Sequence, residues 1–380
     1  MFGRTLTLFR LFGFQVQVDM SWLVLAFLII WSLATGYFPV EYENLSPPLY
    51  WWMAVMAAAG LFASLVFHEL AHSLVARRFG IPISGITLFI FGGVAHMEDE
   101  PPDPKSEFVM AVAGPLSSLF LAALLYLLFQ SGRAVGWPEP LTGIAEYLAL
   151  MNILLALFNM IPAFPLDGGR ALRAALWAWR GNLRWATRLA SGFGSGFGIV
   201  LMAVGALSFL SDRLLEGFWY VLIGFFLTTA ARQAYSGVLV RSALHGEPVR
   251  RFMSRDPVTV PPNLSLQAFI DEYLHHYLYD MFPVSRDLAV LGCVTSKQVG
   301  GIPRTEWERT TVGDVMTPCS ARNTVQADTD AAQALAQMNQ TGLSRLLVLE
   351  GNRLVGVLVL KDLMTLIALR METASMPEAA

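Results

Sequence analysis

Two histidines four residues apart, with a glutamate between them, make up the segment His68-Glu69-Leu70-Ala71-His72. On an α-helix, residues i and i+4 share a face, so His68 and His72 can ligate one metal ion together. Glu69 stands beside them, placed to take a proton from a water that the metal activates. A catalytic zinc needs three protein ligands and one open position. The third ligand must come from elsewhere in the chain. There are six histidines and two cysteines. Cys293 and Cys319 lie in the polar C-terminal part, give no disulfide framework and make no cysteine zinc site. His96 is one option. Asp167 is the better one, in Pro165-Leu166-Asp167-Gly168-Gly169, where prolines and glycines can fix a loop that directs one carboxylate inward. The competing role for Asp167 is a helix N-cap before Arg170. Asn159 can donate to a developing oxyanion or hydrogen-bond a neighbouring helix. Glu98, Asp99, Glu100, Asp103 and Glu107 read as a solvated acidic loop.

The elements that must position these groups are apolar. Of 380 residues, 55% are hydrophobic and 14% charged, and the mean hydropathy is +0.51. Soluble domains carry roughly 25% charged residues. The histidine motif falls inside the apolar run from Tyr50 to Val75, and ionisable groups in hydrocarbon mark a functional site by default. The net charge of −3 gives no reason to expect a nucleic-acid partner. Hydrophobic runs predict about six transmembrane helices, over 21–38, 50–76, 108–130, 141–161, 189–210 and 217–230, the last extended to 240. No short apolar core with a cleavage site marks a signal peptide at the N-terminus. Residues 4–18 alternate around Gly13 and predict a hairpin at the membrane face. Residues 81–97 predict a second short hairpin, which a membrane tolerates only where protein or water satisfies the backbone. Ala113-Gly114-Pro115 brings small residues to a helix contact. The stretch from Arg170 to Arg188, arginines among tryptophans, predicts one interfacial amphipathic helix. Lys and Arg concentrate on alternate loops, which places both termini in the cytoplasm. His68, His72 and the end of the fourth span then meet at one membrane depth.

From Glu247 the composition turns soluble and repeats itself. Val249-Arg-Arg-Phe-Met253-Ser-Arg-Asp-Pro257 echoes Val312-Gly-Asp-Val-Met316-Thr-Pro-Cys. Each is followed by a strand, a helix and two more strands. The repeats resemble a pair of cystathionine-β-synthase (CBS) domains, an α+β module that pairs within the chain. The expected organisation is a membrane domain over 1–240, a linker over 241–249, a CBS pair over 250–372 (250–303 and 312–370) and a tail over 373–380. The fold class is a polytopic α-helical membrane protein with short membrane-associated β-hairpins and a soluble α+β CBS-pair domain.

His68-Glu69-Leu70-Ala71-His72, taken with Asn159-Met-Ile-Pro162-Ala-Phe-Pro165-Leu-Asp167-Gly168-Gly169-Arg170, resembles the site-2 protease family of intramembrane zinc metalloproteases. Phe91-Gly92-Gly93-Val94-Ala95 and Ala113-Gly114-Pro115 match further family landmarks, and the CBS repeats resemble those of a prokaryotic subgroup. The resemblance implies one Zn2+ held by His68, His72 and Asp167, with Glu69 as general base and Asn159 as a substrate or transition-state contact. It implies hydrolysis of a peptide bond inside the transmembrane segment of a single-span membrane protein. A helical substrate has its carbonyls tied up, so pairing with the 81–97 hairpin, strand-like over 85–91, would hold it extended. The CBS resemblance implies an adenine nucleotide (ATP or AMP), with Asp362 as its ribose contact; Gln298 stands at the matching place of the first repeat. A homodimer through the CBS domains is a further expectation. The competing classes are a CBS-regulated ion transporter or channel and a non-proteolytic membrane scaffold.

Overall fold

The computed structural model describes residues 5–90, 92–97, 101–277, 279–286, 289–365 and 367. The chain divides into two compact units, Met1–Val238 and Leu239–Ala380.

The first unit opens with strands β1 (Thr5–Leu11) and β2 (Phe14–Asp19). Helix α1 (Met20–Ser32) continues through a wider turn (Leu33–Tyr37) into α2 (Phe38–Glu41), and α3 (Pro47–Arg78) follows. Strands β3 (Ile83–Phe89) and β4 (Gly92–Met97) precede α4 (Pro104–Val135), α5 (Glu139–Asn159), α6 (Asp167–Arg180), α7 (Leu183–Leu210) and α8 (Leu214–Leu244), whose residues from Leu239 on are counted with the second unit. Among the described residues, six helices are long and apolar enough to cross a membrane: the α1–α2 stretch, α3, α4, α5, α7 and α8. Helices α3 and α4 run to 32 residues each, beyond the roughly 20 that a span needs. Their excess length carries Arg77, Arg78 and Glu107 past the most apolar part.

The two hairpins expected from sequence form one sheet, in the order β1-β2-β3-β4. The join is parallel, from Gln15↔Gly85 to Val18↔Leu88. It is driven by burial. Val16, Ile86 and Leu88 are fully buried and pack with Val18 and Val66 of α3. Strand β3 therefore has both edges occupied. The terminal strand of the sheet next to it is β4, which pairs only with β3 among the described residues. A substrate strand expected to pair with the 81–97 hairpin would therefore meet β4 rather than β3.

Two further expectations change. The predicted interfacial helix over Arg170–Arg188 is broken. α6 ends at Gly181, and Asn182 caps α7 by accepting from the Trp185 N–H at 2.9 Å. Arg184 and Arg188 thus belong to the first turns of the fifth span. Within α6, Asp167, Gly168, Gly169, Ala171, Arg173 and Ala174 are buried. Glu107 is not part of a solvated loop. It is fully buried in the first turn of α4 and bonded to Arg173. Asp103 instead caps α4, accepting from the N–H groups of Lys105 and Ser106 at 2.9 Å. Glu98, Asp99 and Glu100 lie outside the described residues.

The second unit is built on one sheet. Its strands are β5 (Ser254–Arg255), β6 (Met281–Arg286), β7 (Ala289–Thr295), β8 (Thr317–Pro318), β9 (Thr324–Gln326), β10 (Arg345–Glu350) and β11 (Arg353–Val359). The central order is β6-β7-β11-β10-β9. Each repeat supplies an antiparallel pair, β6–β7 and β10–β11. The short lead-in strands are exchanged: β5 opens the first repeat but pairs with β11, and β8 opens the second but pairs with β7. Gly292 in β7 and Gly356 in β11 occupy equivalent places in the exchange. A Cβ on Gly292 would overlap the Thr317 carbonyl oxygen, and one on Gly356 would stand 2.7 Å from that of Ser254. Valine at either position should lower stability by about 1–3 kcal/mol through overpacking. Amide exchange of the whole protein in detergent should show lost protection at β8 for Gly292→Val and at β5 for Gly356→Val.

Candidate metal centre

Helix α3 sets His68 and His72 on one face, one turn apart, as their spacing requires. The loop after α5 turns back, with Ala163 N–H donating to Ile161 O and Leu166 N–H to Ala163 O. This delivers Asp167 as the first residue of α6. Gly168 and Gly169 press against the backbone of Met160 to Phe164 so closely that a Cβ on either would overlap it. The Asp167 carboxylate does not cap its helix. Its Oδ2 lies 3.1 Å from His68 Nε2 and 3.1 Å from His72 Nε2, and the two Nε2 atoms are 3.2 Å apart. These three residues form the one group that could hold a metal ion among the described residues. All three are buried.

The far sides of both rings are held by α4. His72 Nδ1 donates to the Met110 carbonyl at 2.7 Å, and His68 Nδ1 lies 2.8 Å from the Ser118 hydroxyl oxygen. A carbonyl only accepts, so a neutral His72 carries its proton on Nδ1 and turns a bare Nε2 lone pair toward Asp167. The Ser118 hydroxyl can accept from His68 in the same way. Two imidazole lone pairs and a carboxylate then converge with no proton between them. Such a cluster repels itself unless a cation sits among the three. Tetrahedral zinc, bonded at 2.0–2.1 Å, separates neighbouring donors by about 3.3 Å. The observed spacings of 3.1–3.2 Å fit that ion.

Between Met110 and Ser118 on α4 stands Gly114. A Cβ there would overlap His72 Nε2 and stand 2.6 Å from His68 Nε2. The glycine is the space in which the two rings meet. Sequence reasoning read Ala113-Gly114-Pro115 as a helix–helix contact and missed this use. A signal was present, since Met110, Gly114 and Ser118 recur every fourth residue and so share one face of α4.

Glu69 is half-buried on α3, and its side chain lies against the backbone of β4. A Cβ on Gly93 would stand 2.8 Å from Glu69 Oε1. The hairpin edge and the glutamate are thus immediate neighbours. Asn159 is not joined to the triad among the described contacts. Its amide donates to the Leu155 carbonyl of its own helix at 2.9 Å. His96 has its backbone in β4, paired with Gly85, and its side chain lies outside the described residues. Asp362 is exposed in the helix that follows β11. Gln298 is consumed internally: it accepts from the Thr295 N–H at 2.8 Å and donates to Val315 O at 3.1 Å and to the Thr317 hydroxyl at 2.8 Å.

Alanine at Gly114 should therefore abolish zinc binding, read as metal per chain by elemental analysis of the purified protein. Alanine at Ser118 removes only the outer partner of His68 and should weaken zinc retention by about tenfold.

Residues 56–142 and 132–204 match the family model described as Peptidase family M50. Residues 249–299 and 312–369 match the CBS domain model. Rip3 of Mycobacterium tuberculosis (strain H37Rv) is 35% identical over 360 residues, covering 94% of this chain and 91% of its own. Zinc metalloprotease MJ0392 of Methanocaldococcus jannaschii is 30% identical over 362 residues, covering 95% of each. Among solved structures, the site-2 protease from Methanocaldococcus jannaschii matches 61% of this chain and 95% of that one, at 27% identity and a TM-score of 0.42. With a His-His-Asp centre buried among long apolar helices, the chain belongs to peptidase family M50, the site-2 protease family of zinc metalloproteases, in a form that carries a C-terminal CBS pair.

Proposed function

We propose that this protein cleaves a single-span membrane protein inside its transmembrane segment, with His68, His72 and Asp167 as the zinc ligands and Glu69 as the general base. The observation that carries the reading is the convergence of the three donors within apolar helices, with Glu69 at their side. Zinc bound there supplies a Lewis acid and lowers the pKa of a water toward neutrality. Glu69 accepts the proton as the water attacks the peptide carbonyl, and delivers it to the leaving amine. Asn159 turns its amide from the Leu155 carbonyl to the carbonyl oxygen of the substrate, where negative charge develops. The peptide to be cut is extended, because a helical carbonyl is tied to its i+4 N–H. The free edge of β4, lying against Glu69, suits that task.

The excess of Lys and Arg on one side supports a topology with both termini and the CBS pair in the cytoplasm and the zinc centre toward the cytoplasmic face. The CBS pair is the regulatory element. With Gln298 committed to Thr295, Val315 and Thr317, the matching position of the first repeat is already engaged, so one adenine nucleotide is expected, at Asp362. The same module is a surface for homodimerisation.

Glu69→Gln should keep one zinc per chain and lower cleavage of a single-span substrate in membranes by at least about 10²-fold. Loss of the metal in this variant, or retained cleavage, would contradict the role. Proline at Val94 or Ala95 separates the edge from the fold. One of two neighbouring strand residues directs its N–H outward, and at that residue proline should lower cleavage while zinc content stays unchanged. ATP added to the wild-type protein should change the cleavage rate, and this response should vanish in Asp362→Ala.

A further inference from the structure

Helix α4 holds the two histidines three times over, through the Met110 carbonyl, the space at Gly114 and the Ser118 hydroxyl. Helix α6 carries Asp167 as its first residue. With the histidines borne by α3, the shape of the donor triangle therefore depends on how α4 and α6 stand against each other. A buried ion pair joins these two helices. Arg173 Nε donates to Glu107 Oε1 at 2.6 Å, and an Arg173 terminal nitrogen reaches the same oxygen. Glu107 is 0% exposed and Arg173 6%. Glu107 lies one turn before Met110, and Arg173 lies within two turns of Asp167. The guanidinium also stacks over the ring of Phe164 at 5.1 Å, in the loop that leads into Asp167. One side chain thus grips the helix that holds the histidines and the loop that delivers the carboxylate.

A buried ion pair is a poor device for stability alone, since well-packed apolar residues of the same volume do as well. Its advantage is direction, because the planar guanidinium fixes distance and angle at once. Here that direction runs between the two halves of a metal site. We propose that Glu107 and Arg173 are positioning residues that set the Asp167 carboxylate at ligand distance from the histidine pair. The proposal rests on the zinc centre described above. It fails separately from it, because loss of zinc in His68→Ala tests the centre and leaves the ion pair intact.

The test compares zinc release from the full chain in detergent, under excess chelator, with visible spectra of the Co2+-substituted protein. Arg173→Met removes the pair. Arg173→Lys keeps the charge but loses the fork and its Nε bond, a milder change chosen to preserve folding. Phe38→Leu, in the separate core of Phe38, Tyr42, Met53 and Tyr147, is the control for ordinary loss of stability. Arg173→Met is expected to release zinc at least tenfold faster than Phe38→Leu, compared at temperatures equally far below each Tm. Arg173→Lys is expected to release zinc several-fold faster than wild type and to shift the cobalt band. Wild-type release with an unshifted band in Arg173→Lys overturns the proposal. So does release from Arg173→Met that is no faster than from the control.

Discussion

Three electron-rich atoms about 3 Å apart, enclosed by apolar helices, are the constraint on which the membrane unit depends. Without a cation between them they repel, and the surroundings offer little water to relieve the strain. The fold answers by overdetermining each donor. The outer nitrogen of each histidine has a partner on α4, and Asp167 is fixed by a loop that turns on its own backbone hydrogen bonds. The histidines, their outer partners and the carboxylate come from three different helices, α3, α4 and α6. The site is a property of packing, and a change in packing reaches it directly.

The same constraint explains why glycines fall where they do. Gly114 is absent of side chain because two imidazoles need its volume, and Gly93 because Glu69 does. Both lie on elements outside the His68, His72 and Asp167 group. Catalytic metal sites are usually described by the groups that touch the ion. Here an equal share of the specification lies in atoms that are missing, on helix α4 and strand β4.

What could be read from sequence was local or periodic. His68 and His72 announce a shared face through their spacing, and the six spans announce themselves through uninterrupted apolar length. The loop around Asp167 was legible because proline and glycine restrict where a chain can turn. What escaped was non-local. An alternating pattern says that residues 14–19 and 83–89 are strands, but nothing in it says that β2 pairs with β3 rather than staying a separate hairpin. Glu107 was concealed by its neighbours, being one acid in a run of acids and prolines, and only its partner Arg173 far along the chain shows it to be interior. Arg173 was misplaced for the same reason, as one arginine in what read as a continuous surface helix. Gly181 and Asn182 divide that helix, and a glycine followed by an asparagine is the signal that was there to use. Asn159 remains the residue whose sequence-based role and resting hydrogen bond point in different directions.

The exchange of lead-in strands in the CBS pair has a consequence for how the protein is made. Strand β5 is the first piece of sheet to follow α8 in the chain, but its partner β11 lies about a hundred residues downstream. While the chain is being synthesised, β5 emerges with nothing to pair with. The first repeat can close its own β6–β7 hairpin early, yet its opening segment must wait for the second repeat to be complete. Order of synthesis and order of folding therefore run opposite at this point. A chain that stops short of β11 loses the end of the domain and leaves its beginning unpaired as well.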